Sequence, residues 1–319
     1  MPFKAHAPGS LMLLGEYGVL YGKHALVCAV DKRITVTLNP RKDDKIFISS
    51  AFKKNDGTVE QIDYQTDLAN LKIEKPYQFV LGSLKHVETR LRYGCDIQIE
   101  SEFSHKVGLG SSAAVTVAML AAIYTWLGMR TTPIDLVRQG RNVVRAVQGT
   151  GSGADVAASV YGGMVAYQSQ PITAEKFHQL HPISAVYAGY KTPTVDAIKQ
   201  VQKRFQAHPT LLHHLAQGIG QCALEGIQAV RRTDWAALGE IMNMQQGLME
   251  SLGVSSQDMQ SMINVLRKAP AIVGAKISGA GLGDCVIGLG EMAEYTPVVN
   301  GSHLVNVAMT LQGVNCEKI

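Results

Sequence analysis

The residues best suited to chemistry lie in a loop of glycine and serine, Gly108-Leu109-Gly110-Ser111-Ser112-Ala113-Ala114. Glycine lets backbone N–H groups approach a ligand closely, and serine hydroxyls favour the N-cap of a helix. The apolar run over residues 113–127 indicates a buried helix behind the loop. Because a helix N-terminus carries unpaired N–H groups and a partial positive charge, it suits a phosphate. We therefore predict a nucleotide-phosphate loop, against the alternative of an ordinary glycine turn with a serine cap.

This loop is not a Walker A motif, because no Gly-Lys-Ser or Gly-Lys-Thr follows at the required spacing. Two other glycine-rich turns occur at residues 149–155 and 278–284, and each lies between strand and helix patterns. Asp155 ends the first of these turns and Asp284 ends the second. Asp155 is a candidate acceptor of a proton, whereas Asp284 is expected to be a surface turn residue.

The elements that must position these turns alternate as runs of strand and runs of helix, without a regular βαβ rhythm. This order predicts an α+β fold. The length suits two domains, and the second half of the chain begins near Pro171, so we predict domains at residues 1–170 and 171–319. Helices are predicted at 76–93, 113–127, 133–147, 194–206, 209–230, 233–250 and 255–268. Strands are predicted at 164–167, 183–187, 272–277, 286–289 and 305–311, in addition to those within residues 5–40.

Composition is that of an ordinary globular protein, with 46% hydrophobic and 18% charged residues among 319. The net charge is +4 without a clustered basic run, so we expect no nucleic-acid partner. The five cysteines lack CxxC spacing, which argues against a disulfide framework or a zinc site and for a reducing compartment. No signal-peptide pattern or membrane-length apolar segment is found, so we expect a cytoplasmic protein without a membrane partner.

The order of these motifs resembles that of the GHMP kinases, the group that includes galactokinase, homoserine kinase, mevalonate kinase and phosphomevalonate kinase. The loop at 108–114 is the second motif of that family. The other matching segments are Ala7-Pro8-Gly9-Ser10, Gly15-Glu16-Tyr17-Gly18-Val19-Leu20-Tyr21-Gly22, Ser152-Gly153-Ala154-Asp155, Tyr161-Gly162-Gly163 and Lys276-Ile277-Ser278-Gly279-Ala280-Gly281-Leu282-Gly283-Asp284-Cys285. They span nearly the whole chain in the family's order.

Within the family the chain most resembles the mevalonate kinase and phosphomevalonate kinase branch. Residues 243–255 look like the helix that mevalonate kinases carry before their third motif. Gly-Glu-Tyr at 15–17, Lys106 ahead of the loop and Gly-Asp-Cys at 283–285 look more like phosphomevalonate kinase. The resemblance implies a ribosomal S5 domain 2-like N-terminal domain and a ferredoxin-like C-terminal domain, with a homodimer as one possible assembly.

The resemblance also implies a role for each motif in ATP-dependent phosphoryl transfer with Mg²⁺. Asp155 matches the catalytic aspartate, and Ser112 matches the position that helps to hold Mg²⁺. Lys106 is the candidate catalytic cation. The nucleotide phosphates would be bound by Gly108, Leu109, Gly110, Ser111, Ser112 and Ala113.

The acceptor would be bound by two other segments. Glu16 and Tyr17 match the region that recognises the acceptor, although Glu16 could equally be a structural carboxylate. Gly279, Ala280 and Gly281 would form a tight turn beside the phosphates and the acceptor.

Two positions depart from the mevalonate kinase pattern. Ser10 stands where these enzymes usually have a lysine that pairs with the catalytic aspartate, and Val144 stands where they have a magnesium-binding glutamate. A serine does not neutralise phosphate charge and a valine does not bind a metal. We expect either that another cation, such as Lys106 or Lys4, replaces the lysine, or that the chemistry is weaker or altered.

The sequence therefore predicts a small-molecule kinase that phosphorylates a hydroxyl of mevalonate. Two alternatives stay open at this point. One is phosphomevalonate kinase, whose acceptor already carries a phosphate. The other is a non-catalytic nucleotide-binding protein on the same scaffold.

Overall fold

The computed structural model describes residues 1–53, 59–104 and 107–319, which form twelve β-strands, eight α-helices and two short 3₁₀ turns. The strands are β1 Phe3–Leu14, β2 His24–Pro40, β3 Lys45–Lys53, β4 Val59–Asp67, β5 Cys95–Ser101, β6 Met164–Ser169, β7 Ile172–Phe177, β8 Ile183–Tyr187, β9 Gly274–Ser278, β10 Cys285–Leu289, β11 His303–Val305 and β12 Asn315–Lys318. The helices are α1 Gln78–His86, α2 Ser111–Trp126, α3 Pro133–Gln148, α4 Ala154–Tyr161, α5 Thr194–Arg204, α6 Pro209–Arg231, α7 Trp235–Leu252 and α8 Gln257–Lys268.

The larger sheet of the described chain has eight strands and the order β12-β1-β2-β5-β3-β4, with β6 and β7 added beside β2. Its pairs are antiparallel except for β3 and β5. Strand β2 is long enough to pair with β6 through its first half and with β5 through its second. This sheet carries the helices of the first half of the chain on one face, and the main hydrophobic core lies between them.

Helix α2 passes through the middle of this core. Ten of its sixteen residues are buried, from Ala113 to Tyr124, so the helix has no polar face. It contacts β1, β2, α1, α3 and α4. A helix that is apolar on all sides is stable only when it is surrounded, and this burial fixes the position of the loop that precedes it.

The smaller sheet has four antiparallel strands in the order β11-β8-β10-β9. Helices α7 and α8 contact it, and α6 pairs with α7. Methionine, valine and isoleucine side chains of these elements form a second core. The turn between β9 and β10, residues 279–284, emerges from this sheet toward the end of β1.

The α+β fold predicted from the sequence is confirmed. The predicted strand at 305–311 is wrong: β11 ends at Val305, and the chain then returns to the larger sheet, where Met309 bridges Val30. The larger sheet also takes in β7 and β12, which lie beyond residue 170. The domain division at residue 170 stays a prediction.

Within the described residues, no helix combines the length and the apolar character that crossing a membrane would need.

Candidate active site

The glycine–serine loop leads directly into α2, as its sequence predicts, but the N-cap differs from the prediction. The cap is Gly110, with φ of 65°, and no side chain caps the helix. The serine cap expected from the sequence is therefore wrong, because Ser111 and Ser112 already lie in the first helical turn. The amides of Ala113 and Ala114 donate to the Gly110 carbonyl. Without a side-chain cap, the positive end of the helix is available to an anion.

The two loop glycines are required by their neighbours. A Cβ on Gly110 would lie 2.2 Å from Ser10 Oγ, and a Cβ on Gly108 would lie 2.0 Å from Asp284 Oδ1. The loop is fixed to β1 by a hydrogen bond from the Ser10 amide to the Leu109 carbonyl, at 3.0 Å. The pairing of β1 with β2 shifts register between Pro8 and Ser10, a bulge that directs Ser10 toward the loop.

Asp155 lies in the first turn of α4, and Ser10 is its hydrogen-bond donor. The Ser10 hydroxyl donates to Asp155 Oδ1 at 2.9 Å, across 145 residues of sequence. Gly153, with φ of 93°, is the N-cap of α4, and the helix is fixed to β1 by a hydrogen bond from the Ser159 hydroxyl to the Pro8 carbonyl. The aspartate is therefore held against β1, the strand that also holds the phosphate loop.

Burial raises the pKa of the Asp155 carboxyl, while the Ser10 hydrogen bond and the charge of Lys191 act in the opposite direction. Desolvation is the largest of these effects, because it disfavours the charged form. A carboxylate with a raised pKa is a better proton acceptor than one exposed to water.

Glu16 has a different environment. Its side chain is 2% exposed, and its Oε1 accepts a hydrogen bond from the fully buried Lys276 ammonium. The Gln245 amide donates to Oε2, and the Gln245 carbonyl oxygen accepts from the Gly15 amide. The structural role that the sequence left open is therefore present, because both carboxylate oxygens have partners from distant elements.

The turn at 279–284 is attached to the end of β1 through side chains. The Tyr17 hydroxyl donates to the Ala280 carbonyl at 2.7 Å, and the Met12 amide donates to Ser278 Oγ at 3.0 Å. Burial raises the pKa of the Tyr17 phenol, which keeps it protonated as a donor. Gly281 packs under Val254 with φ of 76° and leaves no room for a side chain.

Two cavities meet at this site. The smaller, of about 150 Å³, is lined by Glu16, Tyr17, Asp155, Gly279 and Ala280, among others. The larger, of about 740 Å³, runs along α1 and the end of β8. Ser112, Gln148 and Thr194 line both cavities and form their junction.

The structure places most of the predicted residues along these two cavities, whereas Gly108, Gly110 and Gly281 line neither. Ser111 lines the larger cavity, Ala113 lines the smaller, and Ser112 lines both. Leu109 differs from the prediction of a nucleotide contact, because its side chain is fully buried in the core and its carbonyl is bonded to Ser10. Lys106 lies outside the described residues.

The positions that depart from the family pattern also lie here. Val144 lines the smaller cavity, and Ser10 bonds to Asp155. Lys4, offered as a substitute cation, lines neither cavity: it pairs with Glu317 in the register of β1 and β12. Lys4 therefore does not replace the lysine that is missing at position 10.

Sequence reasoning missed Lys191 and misplaced Asp284. Lys191 lines the larger cavity, and its ammonium lies 3.3 Å from Asp284 Oδ2. The Asp284 side chain is only 18% exposed rather than a surface group, and burial raises its pKa. No local pattern marked Lys191, and the glycine-rich turn that contains Asp284 did not indicate its burial, because the meeting of the two residues depends on the pairing of β8 with β10.

The residues that could hold Mg²⁺ are the Ser112 hydroxyl at the junction and the Asp155 carboxylate in the smaller cavity. Both are hard oxygen donors, and Mg²⁺ commonly takes one or two protein oxygens together with phosphate and water. The donor set therefore fits this metal.

Comparison with known proteins gives two family models along the chain. The model for the N-terminal domain of GHMP kinases matches residues 78–163, and the model for their C-terminal domain matches residues 227–294. The first match contains the phosphate loop and Asp155, and the second contains the turn at 279–284.

Curated relatives match along nearly the whole length. A mevalonate kinase of Methanothermobacter thermautotrophicus is 30% identical over 90% of this chain and 90% of its own. A mevalonate kinase of Thermococcus sibiricus is 29% identical over 99% of this chain and 98% of its own. Among solved structures, the Lin0012 protein from Listeria innocua superimposes with a TM-score of 0.84 at 21% identity, covering 100% of both chains.

Proposed function

Since this chain belongs to the GHMP kinase family and is a phosphotransferase that acts on an alcohol group, we propose that it transfers the γ-phosphoryl group of ATP to a hydroxyl of mevalonate. The observation that carries the proposal is the meeting of two cavities at Ser112, with a carboxylate in the smaller one. Full-length relatives named mevalonate kinase supply the identity of the acceptor.

The larger cavity has the size of a nucleotide site. Ligand sites commonly span about 300–1,000 Å³ and are lined mainly by apolar side chains. Tyr77, Phe79 and Val115 line this one beside the first turn of α2. A base would lie among these side chains, and the phosphates would lie at the amides of Ser111 and Ser112.

The smaller cavity suits an acceptor smaller than a nucleotide. No lysine or arginine occurs among the described residues that line it. A phosphorylated acceptor would need such a cation, which disfavours phosphomevalonate. The acceptor carboxylate would be bound by amides of the two glycine-rich turns at 149–155 and 279–284.

In the transfer step, Asp155 accepts the proton of the acceptor hydroxyl or orients that hydroxyl for attack. The acceptor oxygen forms a bond to the γ-phosphorus while the bond from that phosphorus to the bridging oxygen breaks. ADP leaves with the electron pair. The loop amides hold the phosphates in place while this exchange occurs.

Magnesium would be held by Ser112 and by the phosphates themselves. When bound, it neutralises charge on the phosphates during transfer. We also propose a requirement for Mg²⁺, a cytoplasmic location and a homodimeric assembly.

The test is an assay of ADP release with purified protein, ATP and Mg²⁺, with mevalonate or phosphomevalonate as the acceptor. The Asp155→Asn variant is the negative control. We expect turnover with mevalonate that the variant lacks. Turnover with phosphomevalonate alone would assign the second acceptor. ATP binding without ADP release from either acceptor would assign a non-catalytic protein.

A further inference from the structure

The proposed site lacks the charge that its reaction requires. A triphosphate at the junction brings several negative charges next to Asp155, and phosphoryl transfer depends mainly on positioning and on neutralising such charge. Ser10 contributes a hydroxyl and Val144 a hydrocarbon where the family pattern has charged groups. Some other group must offset the phosphate charge on the protein side.

One cation stands out at the two cavities. Among the described residues that line either cavity, Lys191 is the single lysine or arginine. Its positive charge also acts on Asp155, where it favours the ionised form of the carboxyl and so lowers the pKa. Lys191 follows β8 by four residues and precedes Thr194, which is part of the junction.

The backbone around Lys191 is firmly held. The Asp284 amide donates to the Tyr190 carbonyl at 2.8 Å, and the Thr192 hydroxyl donates to the Leu282 carbonyl at 2.6 Å. Lys191 is thus attached on both sides to the turn between β9 and β10. That turn touches the phosphate loop, because the Asp284 carboxylate occupies the space beside Gly108.

The Lys191 side chain has a partner that can hold it near the phosphates. Its ammonium pairs with Asp284 Oδ2 at 3.3 Å, and about a third of the side chain (32%) is exposed. Lysine has three donors on a flexible stem, so one ammonium can bond to a carboxylate and a phosphate together. The side chain has room to reach a ligand in the cavity that it lines.

We propose that Lys191 contacts the terminal phosphates of the bound nucleotide and supplies the positive charge that Ser10 does not, an inference that rests on the proposed kinase function. Lys191 forms no covalent bond and moves no proton. It stabilises the charge on the γ-phosphoryl oxygens while the phosphorus passes from the bridging oxygen to the acceptor oxygen. Asp284 positions the ammonium beside the loop at Gly108.

A purely structural ion pair is the competing explanation. Partly exposed pairs of this kind contribute little to stability. Removing a purely structural pair would affect the Lys191 and Asp284 variants alike.

The test compares Lys191→Met with Lys191→Arg, Asp284→Asn and the control Lys199→Met, an exposed lysine of α5 that lines neither cavity. Equilibrium titrations measure ATP and ADP affinity without acceptor, and steady-state assays with mevalonate measure kcat and KM. Thermal melting checks that each variant is folded.

We expect Lys191→Met to lower kcat by about 10²-fold, the cost of removing one group that stabilises developing charge. It should weaken ATP binding more than ADP binding and leave the KM for the acceptor unchanged. Lys191→Arg should restore most of the ATP preference. Asp284→Asn removes the positioning partner but keeps the ammonium, so it should reduce that preference less than Lys191→Met does, and Lys199→Met should match the wild type.

Three results would overturn the assignment. One is wild-type kcat and ATP preference in Lys191→Met. The second is an equal loss of ATP preference in Asp284→Asn, which would assign the effect to the ion pair. The third is a loss of kcat and ATP preference in Lys106→Met with no such loss in Lys191→Met. A wild-type protein inactive on mevalonate would instead refute the proposed function, and the nucleotide titrations would still decide the role of Lys191.

Discussion

Glu16 and Asp155 line the same small cavity but occupy opposite environments. Glu16 is paired with a buried lysine and bonded to an amide, so both of its oxygens are engaged. Within the part of the chain that the structure describes, Asp155 has one hydrogen-bond donor, the Ser10 hydroxyl. The difference separates a carboxylate that holds the architecture together from one that is available to a substrate.

The physical basis of this difference is the way each charge is compensated. A buried carboxylate is tolerated when a cation and hydrogen bonds offset its lost hydration. Glu16 receives that compensation from β9 and α7, which joins the end of β1 to the smaller sheet. Asp155 receives little compensation for its lost hydration, and burial raises the pKa of its carboxyl. The comparison predicts that variants at Glu16 and Lys276 act on folding, whereas variants at Asp155 act on the reaction.

The largest effect is expected from Lys276→Met. It leaves the Glu16 charge buried without its cation, so the free energy of unfolding should fall by about 3–5 kcal/mol, measured by urea denaturation. The exposed Lys268→Met serves as a control and should change little. The double variant Glu16→Gln/Lys276→Met should recover part of the loss, and a double variant as unstable as the single one would contradict the pairing.

Asp155→Asn should have the next largest effect, on rate rather than on folding. Removing a proton acceptor lowers kcat by about 10²–10³-fold, while the melting temperature should stay within a few degrees or rise, because a buried charge is removed. Asp196→Asn, at an exposed position of α5, is the matched control. An Asp155→Asn enzyme with full activity would show that the two carboxylates do not differ in this way.

A smaller effect is expected from Gly110→Ala. Gly110 and Gly128 have nearly the same φ, 65° and 64°, but a Cβ at Gly128 meets nothing within 4 Å. Gly128→Ala therefore reports left-handed backbone strain alone, about 1–2 kcal/mol. Gly110→Ala adds a clash with Ser10, so it should cost more stability and also weaken ATP binding in equilibrium titration. Equal behaviour of the two variants would show that the contact with Ser10 has no consequence.

The smallest effect is expected from Ser10→Ala. The hydroxyl stabilises the ionised form of Asp155, so its loss raises the pKa of that carboxyl further. Activity needs the carboxylate, and the acidic limb of the kcat/KM profile should therefore move to higher pH, with a similar plateau above it. A profile that stays in place, or that moves to lower pH, would show that Ser10 does not tune Asp155.

Much of the fold was predictable because its signals are local. The glycines and the apolar run at 113–127 predicted α2 and the loop before it, and Pro133 marked the start of α3. The predictions that failed depended on distant partners. The N-cap of α2 is Gly110 and not a serine, and the strand expected at 305–311 ends at Val305. Strand pairing at a sheet edge is decided by what lies alongside, which no short window of sequence contains.

The sequence by itself determined which segments turn sharply, which are buried, and that a carboxylate follows one of the turns, because backbone freedom and hydrophobic periodicity are properties of neighbouring residues. Only the tertiary structure decided what surrounds each charge. It paired Glu16 with Lys276 across 260 residues, left Asp155 with Ser10, and brought Lys191 to Asp284 at the end of two paired strands. A carboxylate's chemistry follows from its burial and its partners, and those are set when the two sheets come together.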